Sequence, residues 1–300
     1  MPRRISTARS REFGDGMRAA IANSGMSARE LADLFGWHEA KVSDAVMGRG
    51  GVTLLEVALM LGACRVNVNE RDRLLELFPS RDLSGWWQLH GKCMPVRSRT
   101  ALTNLTAAKT VISWHTHAVP VLLRTAEYMQ ALLVASATVP AEELAERLRA
   151  LQEMQRVLSN DLECTFYIHE FALDLQVYGR EVHIRQLQHL LLIANRKKIR
   201  VLVIPAAAGA HAGMAGPFTL LRFPKHQPLV LVETENSSLF VETEEAVGGY
   251  DEVVRALDSV SLDDHESIDL IARRFVRLQE TRSRTTVGRE DISDIFPPLG

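Results

Sequence analysis

The chain has 300 residues, of which 46% are hydrophobic and 24% charged, and its formal net charge is −2 at pH 7. These values are typical of globular proteins and argue against global disorder and against a surface covered with basic charge. The apolar runs are far shorter than the roughly 20 residues of a membrane span, and the polar start lacks the apolar core of a secretory signal. Three scattered cysteines form no CxxC pair. A cytoplasmic protein is therefore expected.

The charges are unevenly distributed. The first eleven residues contain four arginines and no acid, namely Arg3, Arg4, Arg9 and Arg11. Residues 231–270 contain twelve acidic residues and one basic residue. This asymmetry favours a basic N-terminal arm that contacts phosphates and an acidic region that serves another purpose. The alternative is a frayed arm and a solvated acidic surface.

The first part of the chain has the pattern of short helices joined by tight turns. The predicted helices cover residues 13–22, 27–35, 38–47, 53–62 and 69–78. Ser27 and Glu30 form the spacing of a capping box, and Gly25 and Gly36 stand where helices end. Pro79 ends the last of these helices. An all-α unit is expected over residues 1–78.

The remainder has a mixed pattern. Residues 79–109 are interpreted as a linker and the first helix of the next unit. Later helices are predicted at 120–134, 140–159, 181–196, 246–257 and 265–279. Strands are predicted at 164–169, 200–204, 218–223 and 229–233. This order predicts an α+β domain over residues 110–280 with a mixed or antiparallel sheet, followed by a flexible tail at 281–300.

Residues 27–48 carry the most specific signal, two short helices that meet at a glycine turn. This is the helix-turn-helix pattern, in which the second helix enters the major groove of DNA. That helix would begin near Trp37. The predicted DNA-contacting residues are Arg3, Arg4, Arg9, Arg11, Ser27, His38, Glu39, Lys41, Ser43 and Arg49. Lys41 suits phosphate or guanine, and Glu39 could accept from a cytosine amino group.

Two carboxylates weaken this interpretation. Glu39 and Asp44 lie on the outward face of the predicted reading helix, where they repel phosphates. The alternative is a helical bundle without DNA binding, which would act as a protein-interaction adaptor. The salt dependence of DNA binding distinguishes the two alternatives.

Residues 13–64 resemble the xenobiotic-response-element (XRE) type of helix-turn-helix. The motif SARELADLFGWHEAKVSDAVMG is similar to that family's capped helix, turn and reading helix. The family usually has serine, glutamine or arginine where this chain has His38, Glu39 and Asp44. The resemblance implies a transcriptional regulator that binds double-stranded DNA, and such proteins usually bind as homodimers.

The C-terminal two thirds resemble a module of unknown function that is fused to this helix-turn-helix in actinomycete regulators. The segments that carry the resemblance are VPVLLRTAEYMQALL (119–133), VHIRQLQHLL (182–191), IRVLVIPAAAGAHAGMAGPFTLLRFP (199–224) and the acidic residues 241–250. The resemblance implies an antitoxin-like regulator, controlled by a small protein partner encoded nearby or by a ligand. It does not imply an enzyme.

Other constellations give weaker signals. His115 and His117 would face one side of a strand, but two histidines are not a metal site. The small-residue loop at 206–217 surrounds His211 and reads either as a binding loop or as a tight connection between strands. The sequence shows no activated nucleophile and no phosphate-binding loop. Neither catalytic activity nor a cofactor is therefore expected.

Overall fold

In the computed structural model, the described residues are 7–47, 51–80, 85–89, 94–159, 161–177, 179–235 and 237–284. The chain begins with five helices that form one unit. They are α1 (Ala8–Ser24), α2 (Ala28–Phe35), α3 (Glu39–Val46), α4 (Leu54–Ala63) and α5 (Val68–Leu77). All five predicted N-terminal helices are thus present, with bounds that differ by a few residues from the expected ones.

Capping residues determine where these helices begin. The side chains of Thr7, Ser27, Thr53 and Asn67 each accept a hydrogen bond from a backbone N–H of the first helical turn. The apolar faces then meet in a core of their own. Its largest fully buried side chains are Phe13, Met17, Leu31, Met60, Leu61 and Leu74.

The second unit is built on a seven-stranded mixed sheet of order β1-β7-β6-β5-β2-β3-β4. The strands are β1 (Trp86–Leu89), β2 (Thr110–His115), β3 (Glu163–His169), β4 (Ile199–Ile204), β5 (Phe218–Arg222), β6 (Leu229–Glu233) and β7 (Ser237–Val241). Strands β2, β3 and β4 run parallel, and the other neighbours pair antiparallel. The predicted α+β class of this unit is confirmed.

Helices cover both faces of the sheet. They are α6 (Met94–Ala107), α7 (Ala126–Ala135), α8 (Leu144–Gln155), α9 (Glu170–Asp174), α10 (Gly179–Ala194), α11 (Glu244–Val260) and α12 (Asp264–Arg284). Along β4, Val201 and Val203 belong to one hydrophobic cluster, and Leu202 and Ile204 belong to another. This alternation follows from the two-residue period of a strand and makes a three-layer unit.

The segment predicted to be a linker is more structured than expected. Residues 79–109 include strand β1 as well as helix α6. Trp86–Leu89 pairs with β7, a strand more than a hundred residues later in the chain. Such a short strand has no detectable period of its own, and its partner is decided by the tertiary fold. The flexible tail was predicted to begin at residue 281, but residues 281–284 continue helix α12. The rest of the predicted tail lies outside the described residues.

The two units are in direct contact. The N–H of Ala8 donates to a carboxylate oxygen of Glu242 at 2.6 Å, and Arg11 donates twice to Oδ1 of Asn104 on α6. The guanidinium of Arg9 lies 5.4 Å from the ring centre of Trp86 on β1. Helix α1 therefore belongs to the first unit and also supplies its junction with the second. Within the described ranges, no helix combines the length and apolar character needed to cross a membrane.

Candidate nucleic-acid interface

Helices α2 and α3 meet at a turn that depends on one glycine. Gly36 has φ +66°, in the left-handed region that glycine adopts without steric cost. Its N–H bonds back to the end of α2, and the N–H of Trp37 donates to Ala32 at 2.9 Å. This helical arrangement is compatible with a helix-turn-helix.

The beginning of α3 is open to solvent. His38, Glu39 and Ala40 are exposed, whereas Val42 and Ala45 on the opposite face are buried against the rest of the first unit. The main packing partners of α3 are α1 and α2. The helix predicted to read DNA is therefore held by its inner face and presents its first turn outward.

Two predicted contact residues also have structural roles. The Ser27 hydroxyl accepts the N–H of Glu30 at 3.1 Å, while the Glu30 carboxylate accepts the N–H of Ser27. Nδ1 of His38 accepts the N–H of Ala40 at 3.2 Å, so its imidazole caps α3. Because this nitrogen is an acceptor, the neutral ring carries its proton on Nε2, the atom that remains for a base or a phosphate.

Lys41, the predicted phosphate contact on α3, is engaged within the protein. Its ammonium donates to Oε1 of Glu56 at 2.5 Å and lies 4.6 Å from the ring centre of Trp37. Glu56 is also the N3 residue of the capping box that begins α4 at Thr53. The hydrogen bond from Lys41, followed by that from the N–H of Thr53, lowers the pKa of the Glu56 carboxyl. The sequence pattern did not reveal this pair, because its partners lie on different helices.

The local charge of the motif is negative. Residues 27–47 contain four acids and two bases, so their formal charge is −2. Ser43 and Asp44 are partly exposed beside Lys41 on the same helix. Nearby, Arg18 of α1 pairs with Asp15 and donates to the carbonyl of Val46. Arg29, in the first turn of α2, is an exposed arginine of this motif. A net positive charge at this surface therefore requires cations from outside residues 27–47.

The structure changes the interpretation of the N-terminal arginines. Arg9 donates to the carbonyl of Ser80 at 2.9 Å, and only 10% of the Arg11 side chain is exposed where it pairs with Glu242. Both residues lie in helix α1 at the junction between the units, instead of on a free basic arm. We therefore exclude them from the candidate interface. Arg3, Arg4 and Arg49 lie outside the described residues.

Glu242 is a residue that the sequence analysis assigned only to an acidic surface. In the structure its carboxylate is almost fully buried at the junction. Burial raises the pKa of Glu242, while Arg11 and the N–H groups of Ala8 and Gly85 oppose this shift. The acidic segment thus contributes at least one carboxylate to internal packing. Its buried neighbours come from α1, which no local pattern could indicate.

The histidines of the second unit do not form a metal site within the described part of the chain, where no group of three potential ligands is found. His115 ends β2, and His117 bonds to its neighbour Thr116. His169 and His211 stack with ring centres 5.9 Å apart, and each ring is T-shaped with buried Trp114. Each of these two stacked histidines accepts a backbone N–H through Nδ1 and so caps the short helix that follows it.

The comparisons with known proteins identify only the second unit. A family model described as a domain of unknown function (DUF5753) matches residues 99–273. The match begins within α6 and ends within α12, so it includes every strand except β1. Neither a curated protein nor a solved structure matches the chain.

Proposed function

The chain belongs to the DUF5753 family, and from this premise we propose that it is a sequence-specific DNA-binding transcriptional regulator of the XRE type. In this proposal the first unit binds double-stranded DNA, and the second receives a signal from a small protein partner or a ligand. The observation that supports DNA binding is the exposed first turn of α3, which stands next to a glycine turn and is anchored by a buried inner face.

The proposed interface divides into two sets of residues. His38, Glu39 and Ser43 are assigned to base edges, because they lie on the accessible side of α3. Phosphate contacts are assigned to Lys41 together with Arg3, Arg4 and Arg49. The negative charge of the motif implies that its phosphate affinity depends on these few cations, which makes each of them measurable by substitution.

An exposed apolar stripe supports a homodimer. Leu55 and Leu59 lie one helical turn apart on α4, and 70% and 46% of these two residues are exposed. Exposed apolar stripes of this kind commonly mark protein interfaces. We assign the stripe to a second copy of the chain, because two reading helices on one operator multiply the affinity of each.

A gel mobility-shift assay with the DNA upstream of the gene tests the proposal, with a shuffled sequence as the competitor. We expect preferential binding and a steep decline of the binding constant with salt. Lys41→Ala should weaken binding, because it removes a cation beside α3 and leaves the Glu56 carboxylate unpaired there. Lys197→Ala removes an exposed lysine of the second unit and should leave binding unchanged.

The second candidate function is a protein-interaction adaptor. The Lys41–Glu56 pair and the charge of −2 over residues 27–47 favour it, because both reduce attraction to phosphates. An adaptor would bind the upstream and shuffled DNA equally weakly, and Lys41→Ala would have no effect on either. This outcome would contradict the regulator proposal.

A further inference from the structure

The second unit contains a cavity of about 540 Å³ between the sheet and helices α7 and α8. Strands β2, β5 and β6 form one wall, near the carboxyl end of β2. The helical wall is mainly apolar and includes Met129, Leu132, Leu133, Leu151 and Met154. The volume lies in the range of roughly 300–1,000 Å³ that is typical of small-molecule sites. The cavity therefore has room for the apolar body of a small molecule.

Arg124 is a cation in this wall with unused hydrogen-bond donors. Its Nε donates to the carbonyl of Val119 at 2.6 Å, which orients the guanidinium. Among the described residues this is the one hydrogen bond from its guanidinium, which leaves both Nη atoms for a ligand. Burial lowers the pKa of Arg124, and the charges of Tyr128 and Glu233 oppose this shift. Arg147 also lines the cavity, but its Nε and Nη2 both bond to Glu143, at 3.0 and 2.7 Å. The two arginines therefore differ in what they can offer to a ligand.

The other polar groups set the polarity of the cavity. Burial, together with the charge of Arg124, lowers the pKa of His115 to about 3, so this imidazole is neutral at physiological pH. Glu233 and Glu235 are exposed residues that contribute to the cavity lining. Hydroxyl groups of the segment after α7 donate to Glu235. The positive charge thus lies inside the cavity, and the negative charges lie where it opens to solvent.

We propose that this cavity binds a small molecule with an apolar body and one carboxylate. The planar fork of the two Nη atoms of Arg124 matches the two oxygens of a carboxylate, and the apolar helical wall covers the rest of the ligand. The proposal deepens the proposed function, since it assigns a chemical class to the signal of the second unit. The amphipathic amine that the rim glutamates would attract is the principal competing ligand class.

The cavity is one helical turn from the contact with the first unit. Ala101 of α6 lines the cavity, and Asn104 of the same helix accepts both hydrogen bonds from Arg11 of α1. A ligand in the cavity would therefore touch the helix on which the first unit rests. This proximity gives a physical reason to measure DNA affinity with and without the ligand.

Isothermal titration calorimetry on the full chain tests the proposal with four probes of equal chain length. They are decanoate, decyl phosphate, decanol and decylammonium, each below its micellar concentration. We expect decanoate to bind with one site per chain and at least about tenfold more tightly than the other three. Tighter binding of decylammonium or decyl phosphate, or equal binding of decanol, would overturn the assignment of a carboxylate.

Two substitutions locate the binding. Arg124→Met should weaken decanoate at least about tenfold and leave decanol unchanged, because only the charged hydrogen bonds are lost. Leu132→Trp fills the helical side of the cavity and should weaken both probes. Arg149→Met replaces an exposed arginine of α8 outside the cavity and is the control.

The folded state of each variant is compared by circular dichroism, and Leu132→Trp keeps the test valid where Arg124→Met does not fold. Unchanged decanoate affinity in a folded variant of either kind would refute the site. The calorimetry uses no DNA, so its failure is distinguishable from a failure of DNA binding.

Discussion

Replacing Glu56 by glutamine should increase DNA affinity, because it releases the Lys41 ammonium from the carboxylate that now holds it at 2.5 Å. A capping box accepts glutamine as well as glutamate at its N3 position, so helix α4 should begin at the same residue. The substitution therefore changes the charge beside α3 with little change to the fold. It tests the regulator proposal by a gain of function, which a misfolded variant would not produce.

The size of the effect follows from counterion release. One additional lysine–phosphate contact steepens the logarithmic salt dependence of the binding constant by about 0.9. When salt falls from about 200 to 50 mM, the affinity ratio of Glu56→Gln to the parent chain should increase about threefold to fourfold. The calculation counts one released ammonium, which is the number of lysines that the structure pairs with Glu56.

Fluorescence anisotropy with a labelled upstream duplex measures these constants at several salt concentrations. Glu30→Gln is the matched control, since Glu30 occupies the same capping-box position on α2 and its hydrogen bonds are with the Ser27 backbone and side chain. That variant loses the same charge without releasing a lysine, so its salt slope should stay unchanged. An unchanged slope in Glu56→Gln, or a gain that persists in the double variant with Lys41→Ala, would refute the reasoning.

Three further results are expected. Gly213→Ala should lower the free energy of unfolding by about 1–3 kcal/mol in urea denaturation, because the new Cβ would lie 2.6 Å from Nε1 of Trp114; Gly248→Ala, with open space around its Cβ, should not destabilise the chain. Leu59→Glu should shift the chain towards monomer in sedimentation velocity, and an unchanged dimer would remove α4 from the interface. Arg200 of β4 donates a hydrogen bond to Asp264, which lowers the pKa of the Asp264 carboxyl. Their ion pair therefore stabilises the fold above the ordinary aspartate pKa, and this stabilisation is lost as pH falls through the lowered value. Asp264→Asn should therefore cost under about 1 kcal/mol at neutral pH in chemical denaturation, and the difference should disappear in acid; a cost that is independent of pH would contradict the assignment.

Local patterns were sufficient for most helices and for four of the seven strands in the described ranges, β3 to β6. The capping box at Ser27, the glycine at position 36 and the apolar residues between them define α2 through interactions within a few residues. Strands β3 and β4 were recognisable because their apolar and β-branched residues are buried on both faces. Strands β1, β2 and β7 were not predicted. Strand β1 has only four residues, too few to show a period, and its pairing with β7 is non-local.

Local sequence patterns specify the helical first unit, the α+β class of the second and the composition of the α3 surface, because caps, turns and apolar periods act over short distances. The folded chain sets how the charged side chains pair. It pairs Lys41 with Glu56 and buries Arg11 against Glu242, and it places the guanidinium of Arg124 in a cavity wall. A side-chain charge acts on whatever lies within a few ångströms, and those neighbours come from residues far apart in the chain.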